Sequence, residues 1–198
     1  MGICKKNVIW LKMITNKKDF REYIEADKKA LNVTGNHLIN VFTNPCYKYQ
    51  RSLRLHEYCH NCLKKWWQRP LVMYAGLRHR SLGVKYGFSI PINVFGKGLS
   101  IAHIGTIVVN ANSRIGDNCR LHVCTNIGVA AGTNDEAPTI GNNVYIGPGA
   151  KIFGKIVIAD NVAIGANAVV NKSFNEQGIT IAGVPAKKIS NKGSFNLL

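Results

Sequence analysis

His103, in the segment Ile101-Ala102-His103-Ile104-Gly105, is the residue best suited to acid–base chemistry near neutral pH. A neutral imidazole can take a proton from an alcohol, because the ordinary pKa of histidine lies close to 7. The alcohol oxygen could then attack a carbonyl carbon, and a backbone N–H could hold the oxyanion that forms. The spacing of His103 by itself is also compatible with a structural role at a subunit surface.

An aliphatic residue at every sixth position dominates the second half of the chain. A period of six fits neither an α-helix nor an ordinary strand. It predicts a solenoid in which each unit is a short strand and a tight corner, three units form a coil, and successive coils pair as parallel strands. Glycine and asparagine supply the corner conformations. The sixth-position residues are Ile140, Ile146, Ile152, Ile158, Ile164 and Val170, and the inward residues four later are Val144, Ala150, Ile156, Val162 and Ala168.

The same period begins earlier, with interruptions. Residues 95, 101 and 107 are six apart, and residues 115, 121 and 127 are six apart again. Ile140 lies thirteen positions after Ile127 rather than six, so a small polar loop is predicted at about 129–138. This loop contains Thr133, Asn134 and Asp135.

Residues 16–85 have helical patterns. Asn16 is a suitable N-cap for a helix with Phe20, Tyr23, Ile24 and Leu31 at helical spacing. A break is predicted at residues 32–36, and a second helix from about Tyr47 to Gln68, before Pro70. The apolar pattern then continues to Gly83.

The 198-residue chain has a formal net charge of +16, which lies mainly in its first part. Residues 1–90 contain 17 Lys and Arg against 5 Asp and Glu. A basic surface fits an anionic substrate or membrane surface, and no nucleic-acid motif is present. Trp66-Trp67 beside Lys64, Lys65 and Arg69 suits a membrane interface or a helical subunit contact. No signal peptide or membrane span is predicted, so we expect a cytoplasmic protein.

Two groups contain residue types found in metal sites. Cys59 and Cys62 form a Cys-x-x-Cys pair near two histidines, but the second half of a zinc pattern is missing and the spacing fits a buried helix face. His103 and His122 lie about one coil apart, as in the three-histidine metal site of β-helix carbonic anhydrases, yet no third histidine lies in the repeat. We therefore predict no metal. The structural histidines are expected to be His37, His56, His60 and His79.

The repeat resembles the left-handed parallel β-helix acyltransferases, and within them the serine acetyltransferase branch. The segments that carry the resemblance are 96–110 (GKGLSIAHIGTIVVN), 115–128 (IGDNCRLHVCTNIG), the loop ending at Pro138, 146–154 (IGPGAKIFG), 164–170 (IGANAVV) and 182–189 (AGVPAKKI). They cover about half the chain and come in the expected order. The resemblance implies a mainly β fold with an α-helical N-terminal region, a hexapeptide-repeat solenoid wound left-handed.

The resemblance also implies direct transfer of an acetyl group from acetyl-CoA to a hydroxyl, without a metal or an acetyl-enzyme. His103 matches the general base. The N–H that holds the oxyanion would lie just after Gly128, near Val129 and Ala130. Acetyl-CoA would lie in a groove between neighbouring prisms, along Gly149, Ala150, Gly165 and Ala166, with Lys187 and Lys188 near its phosphates. Two subunits would complete each site, which implies a homotrimer or a dimer of trimers.

Three departures from the serine branch concern the acceptor. Ala102 stands where the branch has Asp, Ala137 stands where it has a second His, and no carboxylate lies near Ser89, where it has an orienting Asp. Ser89, Asn93 or a main-chain carbonyl would then orient His103. The losses favour a sugar or glycan hydroxyl as acceptor, as in acetyltransferases of capsule, lipopolysaccharide or exopolysaccharide assembly. Serine is the alternative acceptor, and an inactive β-helix scaffold is the alternative of another class.

The predicted organisation has three parts. Residues 1–87 form a helical region for oligomerisation or the acceptor, residues 88–190 form the β-helix, and residues 191–198 form a tail. A lipid-linked or nucleotide-linked sugar carries phosphate and would suit the basic first region. Such an acceptor would bring the protein to the inner face of the membrane.

Overall fold

The computed structural model describes residues 12–35, 37–132 and 136–198. The first eleven residues, over which most of the expectation of no signal peptide falls, lie outside the described part. So do Thr133, Asn134 and Asp135 of the predicted loop. Within the described part, no helix is long and apolar enough to cross a bilayer.

Four α-helices precede the repeat within the described residues. They are α1 (Lys17–Ala30), α2 (His37–Thr43), α3 (Pro45–Cys62) and α4 (Arg69–Tyr86), with a 3-10 turn at Trp66–Gln68. Asn16 caps α1 as predicted, since its side chain accepts hydrogen bonds from the backbone N–H groups of Lys18 and Asp19 at 2.8 and 2.9 Å.

The predicted helix from 47 to 68 is wrong at its end. Helix α3 stops at Cys62, and Lys65 is extended, with φ −77° and ψ 145°. Pro70 belongs to the first turn of α4, where its missing N–H needs no partner. The proline therefore begins a helix rather than following the end of one.

In the part of the chain that the structure describes, fourteen short strands follow and form three mainly parallel faces. Face A has the order β1-β3-β6-β9-β12, face B β10-β7-β4, and face C β14-β13-β11-β8-β5-β2. The strands are β1 (Phe88–Ser89), β2 (Ser100–Ile101), β3 (Ile107–Val109), β4 (Arg114–Ile115), β5 (Arg120–Leu121), β6 (Thr125–Gly128), β7 (Thr139–Ile140), β8 (Tyr145–Ile146), β9 (Lys151–Phe153), β10 (Val157–Ile158), β11 (Ala163–Ile164), β12 (Val169–Val170), β13 (Thr180–Ala182) and β14 (Lys187–Ser190).

The six-residue period determines the register of the coils. On face C, Ile101 pairs with Leu121, Leu121 with Ile146, and Ile146 with Ile164. Each of these side chains is fully buried inside the prism, as are Val144, Ala150 and Val162, which confirms the predicted inward positions. Asparagines at successive corners adopt positive φ and hydrogen-bond one another in a ladder; they are Asn118, Asn143 and Asn161.

A buried arginine joins the helices to the first coil. Arg54, in α3, is fully buried and donates to Asp27 at 2.8 Å, to Glu57 at 2.9 Å, and to the carbonyl oxygens of Phe95 and Gly96. Burial by itself would lower the pKa of Arg54, but the two carboxylates raise it, so the guanidinium stays charged.

Helix α3 also covers the open edge of face C. Strand β2 has a neighbour on one side, β5, and its other edge faces the helices. The Gln50 side chain accepts from the N–H of Ile101 at 2.9 Å and donates to the carbonyl oxygen of Leu99 at 2.6 Å. The oxygen of Asp27 accepts from the N–H groups of Gly98 and Leu99. These side chains satisfy the backbone groups that a further strand would pair.

We predict that Arg54→Met lowers the free energy of unfolding by about 3–5 kcal/mol, because two buried carboxylates lose their partner. Urea unfolding followed by far-UV circular dichroism measures the loss. Arg51→Met is the matched control, since Arg51 lies on the same helix, is half-buried and stacks over Tyr47. An Arg54 variant as stable as the control would contradict this role.

A buried histidine lies between α3 and α4. His79 is 8% exposed, its Nε2 lies 2.9 Å from the Tyr49 hydroxyl, and its Nδ1 lies 3.1 Å from Nδ1 of His56. Burial, and then the neighbouring His56, lowers the pKa of His79 to about 4. Below its ordinary pKa the unfolded chain binds a proton that the folded chain does not, so acidification destabilises the fold.

We expect the titration of His79 to lower the free energy of unfolding by about 2 kcal/mol between pH 7 and pH 5. His79→Gln removes the titration and should flatten the dependence when urea unfolding is compared at the two pH values. His60→Gln, at an exposed position of α3, should leave it unchanged. The proposal fails if the His79 variant loses as much stability on acidification as the parent chain.

Candidate active site

His103 lies at the corner where the chain passes from face C to face A. It follows the buried Ile101 by two residues, and its own side chain is exposed. The next coils place other residues at the same corner, because the strands of face C are in register. These are Val123, Pro148, Ala166 and Gly183. We call this line, with the adjoining Gly147, Gly149 and Gly165, the histidine corner.

Glycines line part of the histidine corner, because a side chain at these positions would collide with the neighbouring coil. A Cβ on Gly147 would lie 2.8 Å from the backbone nitrogen of Ala166, and one on Gly165 would lie 2.8 Å from the Cβ of Ala182. Gly149 has φ +76° and lies against Asn167. With a spacing of about 4.8 Å per coil, the strip runs roughly 19 Å from His103 to Gly183. Such a strip can hold a long, narrow ligand with one end beside the histidine.

His122 lies beside His103, as the coil count of the sequence analysis indicated, although no catalytic role was predicted for it. The two ring centroids are 6.2 Å apart, and the His122 ring lies 5.1 Å from that of Tyr145. The strand register places His122 opposite Ala102, one residue before His103, which the coil count had placed opposite it. Burial, then the charges of Arg120 and His103, lowers the pKa of His122, so this ring stays neutral near pH 7. Its Nε2 is buried and has no partner in the described part of the chain.

The two side chains predicted to orient His103 are placed elsewhere. Ser89 is exposed on face A, where it pairs with Val108. The Asn93 amide exchanges hydrogen bonds with the Asn61 amide at 2.9 and 3.0 Å, and its backbone N–H donates to Glu57. Neither forms a hydrogen bond with His103 among the described residues. Asn93 therefore joins the helices to the first coil.

The residues predicted to hold the oxyanion lie at the opposite edge of face A. Strands β3 and β6 pair Ile107 with Thr125 and Val109 with Ile127. His103 precedes the beginning of these strands, whereas Gly128 follows their paired region and leads to Val129 and Ala130. Three strand residues span about 10 Å. A single chain therefore does not bring His103 and Val129 together.

Of the residues predicted to contact CoA, most lie at or near the histidine corner, whereas Lys188 and Ala150 have other surroundings. Gly149, Gly165 and Ala166 belong to the histidine corner, and Lys187 pairs with Ala182 at its lower end. Lys188 forms an ion pair with Glu176. The expectation for Ala150 needs correction, because its side chain is fully buried in the prism, where a ligand at the corner cannot touch it.

The cysteine pair contributes to packing in the described structure. Cys59 is fully buried in α3, and Cys62 is half-buried near the carbonyl oxygen of Ile14. No group of three or more metal-ligating side chains converges within residues 12–35, 37–132 and 136–198.

Comparisons with known proteins agree with this geometry. The family described as "Bacterial transferase hexapeptide (six repeats)" matches residues 137–172. Serine acetyltransferase from Synechococcus elongatus is 32% identical over 180 residues, covering 88% of this chain and 68% of that protein. The enzyme from Helicobacter pylori strain J99 is 40% identical over 96 residues, or 48% of this chain and 56% of that protein. The crystal structure of serine acetyltransferase from Brucella abortus is 27% identical, with a TM-score of 0.67, covering 90% of this chain and 72% of that one.

The solenoid, the matched repeat and the similarity to these relatives place the chain among the hexapeptide-repeat acyltransferases. The chain belongs to the serine acetyltransferase family, and it is an acyltransferase that uses acetyl-CoA. The names of these relatives agree better with serine, the alternative acceptor of the sequence analysis, than with the sugar hydroxyl placed first there.

Proposed function

We propose that this chain is an O-acetyltransferase in which His103 is the general base and L-serine is the acceptor to be tested first. The observation that carries the mechanism is the position of His103, exposed at the head of a strip lined by Gly147, Gly149 and Gly165. The similarity to serine acetyltransferases supports the acceptor.

The reaction is a direct transfer in a ternary complex. His103 takes the proton of the hydroxyl while the oxygen attacks the thioester carbonyl of acetyl-CoA. The N–H near Val129 stabilises the oxyanion that results. When the carbonyl forms again, the C–S bond breaks, and the imidazolium returns its proton to the leaving thiolate. The products are the O-acetyl ester and CoA.

A sugar or glycan hydroxyl is the second candidate acceptor. Ala102 stands immediately before His103, and Ala137 stands beside Pro138 at the end of the loop. Neither can form an ion pair with the charged groups of an amino acid. The exposed position of His103 also leaves room for an acceptor larger than serine.

A homotrimer of left-handed prisms would complete the site. In such an assembly the histidine corner of one subunit would face the Gly128–Ala130 edge of its neighbour. The separation of these two edges on face A supports the proposal, since each subunit would then contribute one half of every site.

We expect acetyl-CoA to release free thiol when L-serine is added, and His103→Ala to lower kcat by a factor of about 10² to 10⁴, the usual contribution of a general base. Thiol release measured with L-serine, and separately with free and nucleotide-linked sugars, identifies the acceptor. His60→Gln is the control. Turnover with sugars alone would replace serine as the acceptor, and full turnover by the His103 variant would overturn the mechanism.

Mixed oligomers test the shared site. We expect His103→Ala and Val129→Pro, each inactive alone, to regain activity when co-expressed with different tags and purified together. Each mixed trimer should regain one of its three sites, about a third of the wild-type number, since a site needs His103 from one variant and Val129 from the other. Circular dichroism and acetyl-CoA binding verify that each variant is folded. No recovery in mixed trimers would show that each site belongs to one chain.

A further inference from the structure

Helix α4 has an apolar outer face that nothing in the described chain covers. The face is continuous with the 3-10 turn, and its large residues are 54–80% exposed. We define the α4 patch by these residues: Trp66, Trp67, Met73, Tyr74, Leu77 and Val84. Exposed apolar surface of this kind, on one side of one helix, marks an interaction site.

The sequence of α4 explains why this face points outward. The helix packs on α3 through Ala75, His79 and Gly83, which are buried and four residues apart. Met73, Leu77 and Val84 follow the same kind of spacing on the opposite side. The helix is therefore apolar on the side that lies away from the protein core.

Cations without acidic partners surround the patch. Lys64, Lys65, Arg69, Arg80 and Lys85 are all exposed, and none forms a salt bridge within the described residues. Lys65 lies 5.0 Å from the centroid of the Trp67 ring. Residues 58–116 contain no Asp or Glu at all. The surface that approaches this patch must therefore be rich in negative charge.

We propose that the α4 patch docks on an anionic lipid bilayer surface. Tryptophan side chains are favourable at the headgroup level, and Lys and Arg are attracted by anionic lipids. A second copy of the chain fits less well, because a two-fold contact through this patch would bring two sets of cations together without carboxylates to neutralise them. The proposal is independent of which hydroxyl the enzyme acetylates.

Co-sedimentation of the full-length protein with vesicles tests this docking. We expect binding to phosphatidylcholine vesicles that contain phosphatidylglycerol, weak binding to phosphatidylcholine alone, and release at high salt. In a Trp10→Phe background, the emission of Trp66 and Trp67 should shift to shorter wavelength when the anionic vesicles are added.

Two variants separate the charge from the apolar contact. Lys64→Gln with Lys65→Gln should weaken partitioning about fivefold for each lysine removed, and Met73→Ser with Leu77→Ser should abolish the binding that persists at intermediate salt. Lys155→Gln with Val157→Ser, at exposed positions of the solenoid, is the matched control and should bind as the parent does. All the substituted side chains are exposed, so each variant should fold.

Two outcomes would overturn the proposal. One is equal sedimentation with and without anionic vesicles. The other is concentration-dependent doubling of the mass in light scattering, lost in Met73→Ser with Leu77→Ser, which would assign the patch to a second copy. Thiol release from acetyl-CoA in solution should be unchanged in these variants, because the patch contains none of the residues assigned to the transfer.

Discussion

A parallel solenoid has an open end, and the guanidinium of Arg54 is the group around which this end is closed. Every coil of the prism satisfies the backbone groups of the one before it, but the first coil has no predecessor. Arg54 binds two carboxylates and two main-chain carbonyl oxygens, so that its desolvation is offset at several points. Replacing the whole network by apolar side chains could give equal stability, but not the same pairing with the backbone of residues 93–101.

This closure determines where His103 lies. Strand β2 ends two residues before the histidine, and its free edge is held by Gln50 from α3. The Asp27 carboxylate holds the N–H groups just before that strand. The helical region therefore has a direct structural effect on the site, although none of its side chains forms a hydrogen bond with His103 among the described residues. The corner below His103 is set by the register of the later coils.

The sequence could predict the solenoid because one rule, an inward aliphatic side chain at each sixth residue, acts independently at every coil. Asn16 was equally predictable, since an N-cap depends on local geometry. Other features depend on contacts between distant segments. The amide pair of Asn93 and Asn61 and the burial of Arg54 join residues that no local pattern connects. Pro70 was misassigned because proline is compatible with both the first turn of a helix and the residues after one.

The acceptor depends on the part of the site that coil packing does not constrain. A Cβ on Gly147, Gly149 or Gly165 would come within 3 Å of the neighbouring coil, so these positions cannot change without disturbing the coils. Ala102 and Ala137 have no such constraint, since both are only half-buried. Family membership therefore supports the acetyl donor and the general base more strongly than the acceptor. The relatives' names favour serine, whereas Ala102 and Ala137 favour an acceptor without charged groups. In the proposed trimer, the side chains that the neighbouring subunit places opposite His103 would decide between the two.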